Sequence, residues 1–313
     1  MPLYQAVSND PTLRWRFELD AAKLILGKDL FFAKGEPLAV DQNMLDMVWE
    51  RRILRERPGL RNGPLSRLVR IELEGTTGAR VCLTDSSYQE HHVTMPIQGQ
   101  GADQFSTQYE QLAPHLLAAQ MGVPINEIAP AFALAVLVET SDHKLVYCLR
   151  NANVDCYKDA WSLPSGGRIS GNPHEFNHDI ITDPKNIYPH IAKLLSLEFP
   201  GASELEQRLD ASQTRFTGIL RSLLDFDTTG TVYAKVDITA SELMTGVSPA
   251  KYKGAAQVDA NSDGIMQLLK GYAQFPATVF GAIVMSASQY GIDPTTLFLP
   301  MHSGVTVRIR EIN

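Results

Sequence analysis

The spacing of apolar residues in the first part of the chain predicts a helix followed by two strands. In residues 41–56, DQNMLDMVWERRILRE, apolar side chains recur at helical spacing with charges between them, and the Pro-Gly pair that follows predicts the end of the helix. The stretches Leu68–Leu73 and Arg80–Thr84 are strand-like and enclose the turn-rich EGTTG. A second helix is predicted over Gln108–Met121. We interpret residues 1–125 as a small α+β module.

The pattern changes at Ala131, where a continuous apolar run begins. AFALAVLVET predicts a buried strand, His143 marks a turn, and KLVYCLR predicts a second strand, so the pair reads as a hairpin that opens a new domain over residues 126–313. Strands and helices then mix without regular βαβ alternation, which predicts an α+β fold. The remaining predicted elements are helices at 187–199, 262–272 and 277–290 and strands at 216–224, 231–238 and in the final VTVRIREI.

The composition argues against certain classes of partner and predicts the cellular compartment. The 313 residues carry a net charge of -7, which argues against a nucleic-acid or anionic-membrane partner. Three cysteines without CxxC spacing are typical of free thiols rather than a zinc site. Residues 1–11 have no apolar signal core, and no long apolar run occurs, so we expect a cytoplasmic protein with no membrane segment.

The most informative segment runs from Trp161 to Gly201. After the hairpin come WSLPSGGR, a polar loop, and a helix followed by Gly201. This order resembles the Nudix hydrolase family, whose box has the form G-x5-E-x7-R-E-U-x-E-E-x-G-U, with U aliphatic. The resemblance covers about residues 130–290. It implies a Nudix-type α/β/α sandwich, in which glutamates of the box helix hold Mg²⁺ on a diphosphate substrate.

The N-terminal module adds a looser likeness. RNGPLSRLVRIE followed by VCLTDSSYQEHHVT is similar to a pattern of the extra domain in the UDP-sugar diphosphatase branch of the Nudix family. Arg67 and Tyr88 are therefore candidate ligand-binding residues. The alternative for Arg67 is an ordinary exposed strand charge. His91-His92 would contact a ligand if this module folded over a ligand cleft, and the alternative is a pair of surface histidines.

The box helix departs from the family pattern. Aligned on Pro200, Leu194 and Leu197 occupy two of the three expected glutamate positions and only Glu198 remains. Aligned on Gly201, Glu198 is again the one carboxylate left. Mg²⁺ requires hard oxygen ligands, usually including carboxylates, so the inherited metal chemistry should be lost or replaced. We therefore expect no metal or other cofactor.

Histidine and acidic residues that could replace the missing carboxylates lie in the predicted loop before the helix, and another acid lies later in the chain. HEFNHDIITD carries His174 and His178 four residues apart, and the alternative interpretation is a solvated polar loop. Asp259 opens a D-x-N-x-D-G sequence that resembles an EF-hand start but lacks the twelfth-position glutamate, so an N-cap turn is predicted there. The candidate catalytic residues are Glu198, Glu175, His174 and Asp259, and an alternative metal site would use Glu198, Asp179 and Asp183.

A ligand cleft is predicted between Trp161–Gly171, the helix at 187–199 and the strand near 216–224. Its candidate ligand-binding residues are Trp161, Gly166, Gly167 and Arg168. Four hypotheses follow: a Nudix-like protein that binds a nucleotide-like or other small ligand without hydrolysis, a hydrolase of nucleoside diphosphate-linked compounds with a rearranged metal site, a metal-independent biosynthetic enzyme that reuses the cleft, and a protein-interaction scaffold. The first leads.

Overall fold

The structure is a computed structural model of the chain. It describes residues 2–8, 16–19, 30–34, 37, 39, 41–56, 58–59, 61–74, 78–94, 131–152, 154, 159–164, 187–222, 228–270, 275–292 and 305–311. Two sheets and several helices are present in these ranges, so the fold is α+β, as the sequence predicted.

The helices lie mainly where apolar periodicity predicted them. The predicted helix at 41–56 is an α-helix, a π-helical turn at Trp49–Ile53 and a short final α-turn, and Asp41 caps its start by accepting from the backbone N of Asn43 at 2.8 Å. The helices are α1 (Gln42–Val48), α2 (Leu54–Glu56), α3 (Tyr88–Thr94), α4 (Ile187–Glu198), α5 (Ala240–Thr245), α6 (Ser262–Lys270) and α7 (Ala277–Ser286), with a 3-10 turn at Ala287–Tyr290.

The strands form a mixed nine-stranded sheet and a three-stranded sheet. In chain order they are β1 (Pro2–Ser8), β2 (Arg16–Leu19), β3 (Leu30–Lys34), β4 (Pro64–Glu74), β5 (Gly78–Ser87), β6 (Phe132–Glu139), β7 (Lys144–Arg150), β8 (Trp161–Ser162), β9 (Leu209–Ser222), β10 (Thr228–Val236), β11 (Tyr252–Asp259) and β12 (Val305–Glu311). The large sheet has the order β11-β7-β6-β10-β9-β2-β1-β12, and the small one β3-β5-β4.

The β6–β7 hairpin positions the candidate sites. Its strands pair beside the turn, at Val138 with Val146 and Glu139 with Leu145, and the two-residue β8 pairs with the far half of β7. β11 pairs along the whole of β7, while β10 runs parallel to β6. The turn end and the far end of β7 are therefore two separate places at which loops and helices meet the sheet.

Helices cover both faces of the central strands because β6 is apolar on both sides. Alternate β6 residues such as Val136 and Val138 pack with α4 and α5, and the intervening Ala135 and Leu137 pack with α6 and α7. A strand buried on both faces appears in the sequence as one continuous apolar run, which is how AFALAVLVE was recognised.

Several elements were not predicted. They are the short helices α3 and α5, the strands β1, β2 and β3, and β11, which carries a lysine, a glutamine and small residues rather than a regular apolar alternation. β1 and β2 hydrogen-bond into the large sheet beside β9 and β12. The division into residues 1–125 and 126–313 stays a prediction, and the helix predicted at Gln108–Met121 lies outside the described residues.

Candidate functional site

The polar loop between β8 and α4 lies outside the described residues. The candidates Gly166, Gly167, Arg168, His174, Glu175, Asp179 and Asp183, with His178, all belong to it. The described side of the predicted cleft consists of Trp161, the C-terminal half of α4 and the neighbouring ends of β7 and β11.

Glu198 ends α4 on the buried side of that helix. Ile191, Leu195 and Glu198 lie along one face, and Glu198 is only 2% exposed. One carboxylate oxygen accepts from Lys251 Nζ at 2.8 Å, and the other accepts from the Tyr252 hydroxyl at 2.7 Å. The backbone of Ser248 also donates to the Glu198 carbonyl at 2.8 Å. Glu198 therefore holds the segment before β11 against the end of α4.

This arrangement does not fit the Mg²⁺ site that the Nudix resemblance implies. Both oxygens of Glu198 already accept hydrogen bonds, and one donor is an ammonium group that would repel a divalent cation at the same place. Leu194 and Leu195 are buried apolar groups, and Leu197 is exposed and provides no oxygen. Across the described parts of the chain, no group of three or more His, Cys, Asp or Glu residues could hold a metal ion.

The environment of Glu198 is strongly desolvated. Burial raises the pKa of the Cys148 thiol to about 12, and the nearby charge of Glu198 contributes. Burial likewise raises the pKa of Tyr252, with further contributions from Glu198. Tyr252 therefore stays a hydroxyl donor to Glu198, and Cys148 is the buried core thiol that the sequence predicted.

Trp161 is half-buried on the short strand β8. Its ring lies 4.8 Å from that of Tyr147, centroid to centroid, and Tyr147 is 6.2 Å from Phe275 on the same side of the sheet. These contacts fix the Trp161 ring at the start of the predicted cleft. Its role in ligand binding stays a prediction.

Asp259 lies on a different part of β11 from Glu198. It ends that strand, pairs with Lys144 across the β7–β11 ladder, and its side chain is 61% exposed. Asn261 accepts from the backbone N of Gly264 at 2.9 Å and so caps α6, which confirms the predicted N-cap turn. A side chain at position 264 would meet the Asp259 carbonyl, which explains the glycine there.

The N-terminal candidates are more buried than expected. Arg67 is 0% exposed and forms an isolated bridge with Ala131, so the expectation of an exposed strand charge was wrong. His91 is 5% exposed, and its Nδ1 accepts from the backbone N of Ala131 at 3.2 Å, which corrects the expected surface histidine. Tyr88 is half-buried at the start of α3. Arg67 and His91 lie against Ala131, directly before β6.

A second buried carboxylate, Glu139, was not among the predicted residues. It ends β6 beside the hairpin turn. It accepts hydrogen bonds from four side chains, which lie on β10, on the 3-10 turn and in the hairpin turn itself. Its sequence signal is modest: an acid closes a fully apolar strand, and a histidine follows four residues later. The donors are the Tyr233 hydroxyl at 2.7 Å, the Tyr290 hydroxyl at 2.9 Å, His143 Nδ1 at 3.1 Å and Lys235 Nζ at 3.3 Å.

The four donors keep Glu139 ionised despite its burial. Burial alone would raise its pKa, but the hydrogen bonds from Tyr233, Tyr290, His143 and Lys235 outweigh it and leave the pKa below the usual glutamate value. Burial and the adjacent carboxylate raise the pKa of both tyrosines, so both remain protonated donors. The result is a charged acid held under a surface histidine.

Comparison with known proteins gives no family. No protein-family model matches the sequence, and no curated protein matches it. Among solved structures, the chain is similar to the crystal structure of DR0079 from Deinococcus radiodurans, with a TM-score of 0.33 and 10% identity over 49% of this chain and 80% of that one. A likeness of this extent carries no argument. In the residues that the structure describes, no helix is long and apolar enough to cross a membrane.

Proposed function

We propose that residues 126–313 form a Nudix-type α/β/α sandwich that binds a nucleotide-like or other small ligand without Mg²⁺-dependent hydrolysis. The observation that carries the proposal is the bonding of Glu198, the one carboxylate left from the box helix. Its two oxygens accept from Lys251 and Tyr252, and the side chain is 3% exposed. A residue so committed contributes to packing rather than to metal binding.

Mg²⁺ would compete with Lys251 and Tyr252 for the carboxylate oxygens of Glu198. To coordinate Mg²⁺, Glu198 would have to give up the Lys251 ammonium and leave the buried Tyr252 hydroxyl without its acceptor. An unsatisfied buried hydroxyl costs about 1–3 kcal/mol. The ion would also lie close to the Lys251 charge while having only one carboxylate, whereas sites of this kind depend on several oxygen ligands.

Lys251 is a cationic group on the described side of the predicted cleft, and it favours an anionic ligand. It keeps about half of its side chain in water while one of its protons points to Glu198. Phosphate and carboxylate groups are the ligands that such cations bind.

The test is ligand binding and turnover with and without metal. The full chain is titrated calorimetrically with ADP-ribose and UDP-glucose in EDTA and in Mg²⁺, and phosphate-containing products are assayed in parallel. We expect the same affinity in both buffers and no cleavage. Lys251→Met should weaken binding at least about tenfold through loss of a charged contact, which corresponds to roughly 1.4 kcal/mol. Lys253→Met, a similarly exposed neighbour, is the matched control.

Other outcomes select the other hypotheses. Hydrolysis that requires Mg²⁺ and disappears in Glu198→Gln but persists in Lys253→Met would contradict the proposal and indicate a rearranged metal site. Turnover of a metabolite in EDTA would indicate metal-independent enzyme chemistry. Capture of a protein partner without any ligand-induced rise in melting temperature would indicate a scaffold. Direct measurement of bound metal in the purified protein complements all three.

A further inference from the structure

The β6–β7 turn places His143 in a left-handed backbone conformation. The Thr140 backbone N donates to the Lys144 carbonyl at 2.9 Å, and the His143 backbone N donates to the Thr140 carbonyl at 3.0 Å. His143 has a φ of 55°, in the region that glycine adopts most easily and in which histidine, with asparagine and aspartate, is more common than other residues. Glycine at position 143 would keep this backbone, so it is a suitable variant for removing the imidazole alone.

The geometry determines which nitrogen of His143 is free to act as a base. Nδ1 lies 3.1 Å from Oε1 of Glu139, and an ionised carboxylate only accepts hydrogen bonds. In the neutral imidazole the proton must therefore be on Nδ1, and Nε2 has a free lone pair. The His143 side chain is 71% exposed while that of Glu139 is 7% exposed, so the imidazole joins a buried anion to solvent.

The surrounding groups hold this pair rigidly. Tyr233 and Tyr290 both donate to Oε2, and their rings meet edge to face at 6.2 Å. Lys235, which lies directly opposite Glu139 in the parallel β6–β10 ladder, reaches Oε1 at 3.3 Å with a side chain that is 31% exposed. The carboxylate is thus fixed by donors from β10 and the 3-10 turn, and it orients the imidazole in turn.

We propose that His143 and Glu139 form an acid–base pair that activates water or a small hydroxyl compound at the turn end of the large sheet. Nε2 takes the proton of the hydroxyl group, and Glu139, held by Tyr233, Tyr290 and Lys235, stabilises the imidazolium that forms. The proposal does not depend on the Nudix-type site, because Glu198 lies near the other end of β7.

The proton transfer is tested with an activated ester, p-nitrophenyl acetate. As the oxygen of water bonds to the acyl carbon, its proton passes to Nε2. The ester C–O bond then breaks, p-nitrophenolate leaves with the electron pair, and the imidazolium returns the proton to solvent. We expect the chain to exceed an equal concentration of free imidazole by at least about a hundredfold, the lower end of the range for positioned acid–base groups.

Variants of His143 and Glu139 distinguish a role in catalysis from a role in stabilising the fold. His143→Gly suits the backbone, so it should keep the melting temperature within about 2 °C while ester turnover falls to the imidazole-free level. His143→Gln should lose turnover in the same way. Glu139→Gln should reduce it at least tenfold because an amide can orient the wrong tautomer. Ser141→Ala, in the same turn, is the control with unchanged turnover.

A spectroscopic measurement is independent of any substrate. Nitrogen-15 spectra of the neutral His143 imidazole should show protonation at Nδ1 in the natural sequence. Protonation at Nε2 would overturn the proposal, as would equal ester turnover in the natural sequence and His143→Gly. A large fall in melting temperature for both His143 variants, with turnover unchanged, would assign the imidazole a purely structural role and would also overturn it.

Discussion

Two buried glutamates near opposite ends of β7 show how differently the same side chain can be used. Glu198 and Glu139 have side chains that are 3% and 7% exposed, and each accepts from a lysine and from tyrosine. Among the described residues, Glu198 accepts from two side chains, Lys251 at one oxygen and Tyr252 at the other. Glu139 has four donors, and one of them is an exposed imidazole.

The difference teaches that burial of a carboxylate does not by itself indicate a function. At Glu198 the bonds link α4 to Lys251 and to Tyr252 of β11, which suits a structural role at a position where the Nudix resemblance implies catalysis. At Glu139 the bonds link the buried charge to water through His143, whose side chain is 71% exposed, and through the partly exposed Lys235. The partners of each acid, rather than its depth, suggest what it can do.

Removal of the Glu139 carboxylate should have the largest effect on stability. In Glu139→Leu, the hydroxyls of Tyr233 and Tyr290 lose their common acceptor, and we expect the free energy of unfolding to fall by about 3 kcal/mol. Urea denaturation followed by circular dichroism measures it. Glu139→Gln keeps an acceptor oxygen and should lose less. Equal losses in the two variants would contradict the view that the hydrogen bonds hold this region.

Glu198→Leu should cost less, about 2 kcal/mol, because only the Tyr252 hydroxyl is left buried without an acceptor while Lys251 can turn to water. Addition of Tyr252→Phe removes that unsatisfied donor, so the double variant should be more stable than Glu198→Leu alone. The same denaturation experiments form a double-mutant cycle. Additive losses would show that the pair is not coupled and would weaken the contrast with Glu139.

The sequence predicted the central elements well because their signals are local. β6 is apolar at nearly every position, and α4 and α6 have apolar faces at helical spacing, so burial and periodicity coincide. β11 and α5 were not predicted because the polar and small residues of β11, and the length of only six residues in α5, leave no clear period. Their positions depend on pairing with β7 and on packing, which are not local properties.

The candidate sites were harder to predict for a related reason. Glu198 was recognised from its place in a motif, but its partners Lys251 and Tyr252 are more than fifty positions away in the sequence and carry no motif. The Glu139 network joins β6, β10 and the 3-10 turn through contacts up to 151 positions apart. Only the His143 contact is local, and its spacing alone did not distinguish a bonded pair from two surface residues.

Acid should destabilise the turn end of β7 through Glu139. Its folded-state pKa lies below the ordinary value of 4.5, because the hydrogen bonds outweigh the opposing effect of burial. The stabilising contribution is complete above the unfolded-state value and is lost as pH falls through the folded-state pKa. We expect stability to decline below about pH 4.5 more steeply in the natural sequence than in Glu139→Gln. Parallel curves would contradict this, and Ser141→Ala should behave as the natural sequence.

The smallest effect concerns Cys148, which reports on the Glu198 end of β7. Burial, helped by the charge of Glu198, raises its pKa to about 12, so at pH 8 only about one thiol in ten thousand is ionised. Iodoacetamide followed by peptide mapping should leave Cys148 unmodified in the folded protein and modify it in urea. Because burial is the larger cause, Glu198→Leu should still protect it under native conditions. Rapid native labelling would mean that this end opens locally and that Glu198 can leave its partners, which would reopen the case for a metal ligand there.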